Sequence, residues 1–90
     1  MFIFPGMEVN PDLRDKIFQI VDDQLKENNP PEVNTTYKRL RQDGFDDKQA
    51  RQLIGQCVVL ELYEMIKTND PFHLKRYKEN LKGLPKKPQI

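Results

Sequence analysis

Ninety residues with a net charge of +1, 32% charged and 37% hydrophobic, suit one soluble domain better than a disordered chain. No run is long enough to span a bilayer, and a single cysteine excludes an internal disulfide, so the expected setting is the cytoplasm. Lys and Arg number three against seven Asp and Glu over residues 1–32, five against five over 33–66, and seven against two over 67–90. The two ends therefore attract each other, within a monomer or across a dimer, while the whole field stays too near neutral to favour nucleic acid.

The opening "MFIFPGMEV" lacks the basic start and the longer apolar stretch of a signal peptide. Residues 1–9 form an N-terminal segment in which Phe2, Ile3, Phe4 and Met7 are a concentrated apolar group, bent by Pro5–Gly6. Large apolar side chains gain roughly 1.5–3 kcal/mol each on burial. The segment is thus expected either to fold back over the open end of the domain or to offer a surface to a second copy or another protein. Phe2, Ile3, Phe4 and Met7 are the candidate interaction residues.

A first helix is expected over "NPDLRDKIFQIVDDQLKENN", with Asn10 as its cap and Pro11 in its first turn. Leu13, Ile17, Ile20, Val21 and Leu25 make one face at helical spacing, and Phe18 widens it. Pro30–Pro31 stop this helix and open a second, over "NNPPEVNTTYKRLRQDGF", where Glu32 suits the first turn and Val33, Tyr37 and Leu40 form a narrow stripe. Gly44 closes it in the left-handed conformation and Phe45 packs back on Leu40. The third helix follows at once. Asp46 and Gln49 make a capping box, and Phe45 and Ala50 have the spacing of a hydrophobic staple.

The third helix holds "RQLIGQCVVLELYEMI". At about 100° per residue, Ala50, Leu53, Ile54, Cys57 and Leu60 cluster on one side, and Val58, Val59, Leu62, Met65 and Ile66 lie a quarter to a third of a turn away. An apolar face that rotates in this way is contacted on different sides at its two ends, which makes this helix the expected centre of the fold. Gly55 lies toward the second side and admits close approach of a neighbour. Glu61 falls within the first side, with Glu64 nearby. A carboxylate there is expected to be paired, and Tyr37 and Arg39 are the candidate partners. Glu61 is the candidate buried carboxylate.

A fourth helix is expected over "NDPFHLKRYKENLKGLP", capped by Asp70, entered at Pro71 and ended by Gly83 and Pro85, with Leu74, Tyr77, Leu81 and Leu84 as its stripe. Residues 86–90 read as a loose basic tail. Short connections predict roughly antiparallel neighbours. The fold class is therefore all-α: one domain of four helices over residues 1–90, with a long central third helix.

Chemistry is thinly represented. Cys57, Glu61, Glu64 and His73 are the available metal ligands, without a CxxC or HxxxH pair, so no metal or cofactor is expected. A Cys57–His73 nucleophilic pair would need an exposed thiol, and Cys57 falls on the core side. His73, in the first turn of its helix, reads as an exposed or capping residue. Lys75, Arg76, Lys78 and Lys82 could face phosphates and Tyr77 could stack on a base, but Tyr77 belongs to the apolar stripe.

Residues 30–85, in the pattern "PPEVNTTYKRL…DGF…A…LI…E…M…PF…RY…LKGLP", resemble small uncharacterised all-helical bacterial proteins. That resemblance implies a helical fold and a bacterial cytoplasmic setting. Over residues 38–54, "RLRQDGFDDKQARQLI" is similar to ubiquitin-associated domains, with Gly44 and Phe45 at their Gly-Phe loop. The expected function is that of a small non-catalytic interaction or structural protein with an unidentified protein partner or a second copy of itself. The alternative is a nucleic-acid accessory protein using the basic fourth helix, and the third is a metal or thiol enzyme built on Cys57, Glu61 and His73.

Overall fold

Four helix-forming stretches separated by three to five residues give four helices. The computed structural model describes residues 11–89, in which α1 spans Pro11–Glu27, α2 Pro31–Gln42, α3 Asp47–Thr68 and α4 Leu74–Gly83. Asn10, expected to cap α1, and the candidate interaction residues Phe2, Ile3, Phe4 and Met7 lie outside the described residues. The all-α, four-helix class is as the periodicity predicts.

The core is drawn from every helix. Ile17 and Val21 of α1, Val33 and Leu40 of α2, Ala50, Ile54, Cys57 and Val58 of α3, and Tyr77 and Leu81 of α4 are fully buried. Helix α3 packs on all three others, and so does α2, so the central role is shared. Helices α1 and α3 run antiparallel: Asp22 of α1 pairs with Arg51 of α3 at one end, while Leu13 and Ile17 meet Leu62 and Ile66 at the other. The α2–α3 turn is as its local chemistry dictates. Gly44 sits at φ +103, the Phe45 N–H donates to the Leu40 carbonyl and the Gly44 N–H to that of Arg41, which is the Schellman closure of α2. Asp46 and Gln49 then exchange the two hydrogen bonds of a capping box, at 2.8 and 2.9 Å.

Two ends differ from the sequence-based expectation. Helix α4 begins at Leu74, not at Pro71, and its cap is His73, whose Nδ1 accepts the Arg76 N–H at 3.1 Å. The reason is tertiary: Glu61 of α3 accepts the His73 N–H at 3.2 Å and so fixes where the first turn starts. Leu74, expected in the buried stripe, is consequently 47% exposed. The tail, expected to be loose, is held at Gln89, whose N–H and carbonyl both bond the Asn80 side-chain amide at 2.9 Å, with Pro88 buried beside it. An amide can serve one backbone residue as donor and acceptor at once, which a composition of Pro and Lys does not reveal.

Candidate functional site

Helical spacing puts Cys57 and Glu61 one turn apart on the side of α3 that meets α4. Glu61 is fully buried. Its Oε2 accepts from Arg76 Nε at 2.6 Å and its Oε1 from Arg76 Nη2 at 2.9 Å, a two-pronged pairing of carboxylate and guanidinium. With the His73 N–H, Glu61 therefore accepts three hydrogen bonds, all from the start of α4. The guanidinium is held protonated above its ordinary range, first by the hydrogen bonds to Glu61, against a desolvation that opposes them, and then by the charges of Glu61 and Glu64. Glu64 is 7% exposed, and its Oε2 is buried without a hydrogen-bond partner among the described residues.

The expected partners of Glu61 are engaged elsewhere. The Tyr37 hydroxyl donates to Asp47 at 2.5 Å, and Arg51 lies 5.7 Å over its ring while pairing with both Asp47 and Asp22. That network ties α2 to α3 and α1. Arg39 reaches across to the end of α4, donating to the carbonyls of Leu84 at 2.7 Å and Leu81 at 3.0 Å. A helix end carries unsatisfied carbonyls and partial negative charge, so a guanidinium there serves as a C-terminal cap.

This arrangement accounts for the groups that a thiol or acid–base centre would need. The Cys57 thiol is buried and pushed up to about 12, first by burial and then by the Glu61 charge, so it is a poor nucleophile near neutrality. His73 Nδ1 is occupied by the Arg76 N–H, and both Glu61 oxygens by α4. Among the described residues, no group of three or more His, Cys, Asp or Glu side chains is placed to hold a metal ion. Cys57 is therefore expected to resist a thiol reagent at about pH 8 in the folded protein and to react at once in denaturant, and rapid native labelling would contradict its burial. The same shift carries a pH dependence. Between the ordinary thiol value of 9.0 and about 12 the native state keeps a proton that the unfolded chain releases. The stabilisation this provides is complete below about pH 9 and is lost as pH rises toward about 12. The stability gap between wild type and Cys57→Ala should accordingly narrow across that window.

The basic helix is similarly committed. Arg76 is held by Glu61, and Lys78 lies 3.7 Å from Glu32. Tyr77 is fully buried, its hydroxyl bonded to Gln24 and its ring packed edge-on against Phe72 at 5.2 Å, so it cannot stack on a base. Lys75 and Lys82 remain exposed.

One part of the surface that the described helices leave uncovered is apolar. Between the first half of α1 and the last third of α3 runs a groove of about 450 Å³, lined by Leu13, Ile17, Val59, Leu62, Tyr63, Met65 and Ile66. Its α3 wall follows from helical spacing: Val59, Leu62, Tyr63 and Ile66 fall at i, i+3, i+4 and i+7. Ile66, expected on a buried side of α3, is 85% exposed, and Tyr63 is 60% exposed. The apolar face continues toward the end of α3 beyond the cover that α1 supplies. No helix among the described residues is long and apolar enough to cross a membrane. Compared with known protein families, curated proteins and solved structures, the chain matches none.

Proposed function

We propose that the chain is a small, non-catalytic interaction protein of the bacterial cytoplasm and that the groove between α1 and α3 is its binding surface. One observation carries the reading: large apolar side chains, Ile66 at 85% and Tyr63 at 60% exposure, line a concave site with no charged residue in its walls. Contiguous apolar surface rimmed by polar groups marks a contact with another macromolecule more often than it marks idle surface. The dimensions suit a short apolar segment or the face of an amphipathic helix, which reads such grooves through anchors at i, i+3 or i+4, and i+7. The ligand class is thus a protein segment, a second copy of this chain included.

A nucleic-acid role for α4 has less in its favour, because Arg76, Tyr77 and Lys78 are engaged within the fold. An enzymatic role would have to dismantle the Glu61 contacts that start α4.

The test replaces Tyr63 with a photoreactive benzoyl-phenylalanine and compares it with the same replacement at Lys48. The two positions are about 22 Å apart along α3. Protein adducts are expected from position 63 and not from position 48. Equal yields, or none from position 63, would remove the groove as a binding surface.

A further inference from the structure

We propose that the occupant of this groove is a second copy of this chain, seated across a two-fold axis that passes beside Tyr63 and Ile66 of α3. The inference rests on the reading of the groove as a binding surface and commits that surface to one partner.

The face carries a ridge and a hollow together. Ile66 and Tyr63 are 85% and 60% exposed and stand out from α3, while the groove lies beside them toward α1. A two-fold contact brings a patch against itself, so the patch must complement its own shape. With the two α3 helices antiparallel, the Ile66 ridge of each copy enters the other's groove. The ridge also has the form that the groove accepts: Leu62, Tyr63 and Ile66 share one side of a helix, at i, i+1 and i+4. Charge permits the same arrangement. A residue at a two-fold axis meets its own copy, so a charge there would face an identical one. The walls of the groove hold no charged residue, and the exposed Lys67 of each copy goes to the opposite end of an antiparallel contact.

The area is what a weak dimer needs. At their exposures, Tyr63 and Ile66 together present on the order of 300 Å². Interfaces are about 60% apolar, so with an ordinary polar rim this apolar centre corresponds to about 500 Å² per copy. The half-buried Leu62 and Met65 enlarge it. Two copies then bury about 1,000 Å² or somewhat more, which is where specific contacts begin. A contact at that lower limit is expected to dissociate with a Kd on the order of 10–100 μM. The chain is thus a monomer when dilute and pairs where its local concentration is high.

The experiment is sedimentation equilibrium of the full chain from about 10 μM to about 1 mM, the range that brackets a contact of this size. The average mass should climb from one chain toward two and stop there. Ile66→Glu and Ile66→Lys should each weaken the pairing at least about tenfold, because each places like charges on either side of the axis. An equimolar mixture of the two variants should pair again, since opposite charges then meet. Position 66 is 85% exposed, so both variants should melt as wild type does. A chain that stays monomeric throughout overturns the inference. Pairing that either variant leaves intact, no recovery in the mixture, or growth beyond two chains overturns it as well. A monomeric chain whose photoreactive position 63 still forms adducts with a different protein overturns the second copy and leaves the groove standing as a binding surface. A monomeric chain with no protein adducts from position 63 removes both together.

Discussion

Glu61→Ala is expected to destabilise the fold by about 2–4 kcal/mol, somewhat below the cost of breaking a fully buried ion pair because the Arg76 side chain is 22% exposed. Three donors lose their acceptor at once: Arg76 Nε, Arg76 Nη2 and the His73 N–H. The first two leave a guanidinium at the α3–α4 interface without its counter-charge, and the third releases the start of α4. Glu61→Gln should cost less, because one oxygen still accepts, although the new amide N–H group faces a guanidinium that can only donate. Arg76→Lys is not a mild change here, since an ammonium cannot reproduce the two-pronged contact. Urea melts of Glu61→Ala, Arg76→Ala and the double variant should show the double costing less than the sum of the singles. Strict additivity, or a Glu61→Ala melt within about 0.5 kcal/mol of wild type, would show that the pair does not hold α4 in place.

Phe45→Ala is expected to cost about 2–4 kcal/mol, somewhat below a fully buried phenylalanine because the ring is only half-buried. Its weight comes from serving two helix ends. The Phe45 N–H completes the closure of α2 on Leu40, while its ring packs against the core just before the start of α3. Gly44→Ala should cost about 1 kcal/mol, and for a different reason. A Cβ at position 44 would meet nothing within 4 Å, so the cost is one of backbone conformation at φ +103, without a clash. Equilibrium unfolding of the two variants separates these causes. A Gly44→Ala loss equal to that of Phe45→Ala, or no loss in either, would contradict this description of the turn.

The closure of α2 and the capping box of α3 were legible in the sequence because each of their hydrogen bonds spans five residues or fewer. Periodicity likewise located the four helices, since a stripe of apolar residues is a local property. What escaped depends on distant residues. The start of α4 is set by Glu61, twelve residues earlier, and overrides the Asp70–Pro71 signal. Arg39 caps α4 from 45 residues away, and nothing in its neighbourhood distinguishes it from Arg41. The Asn80–Gln89 contact is invisible in a tail of Pro and Lys. The groove was half legible. Spacing marked Val59, Leu62 and Ile66 as apolar neighbours, but only the antiparallel placement of α1 reveals that Ile66 lies past its cover.

The central claim is that the α1–α3 groove is a binding surface. Its most direct test is the adduct yield from a photoreactive residue at position 63 when Ile66 is replaced by Glu in the full chain. Ile66 is 85% exposed, so the substitution should change stability by no more than about 0.5 kcal/mol. A carboxylate in the apolar wall should nonetheless cut the yield of adducts to a protein partner at least tenfold. An undiminished yield in a variant that melts as wild type would contradict the account.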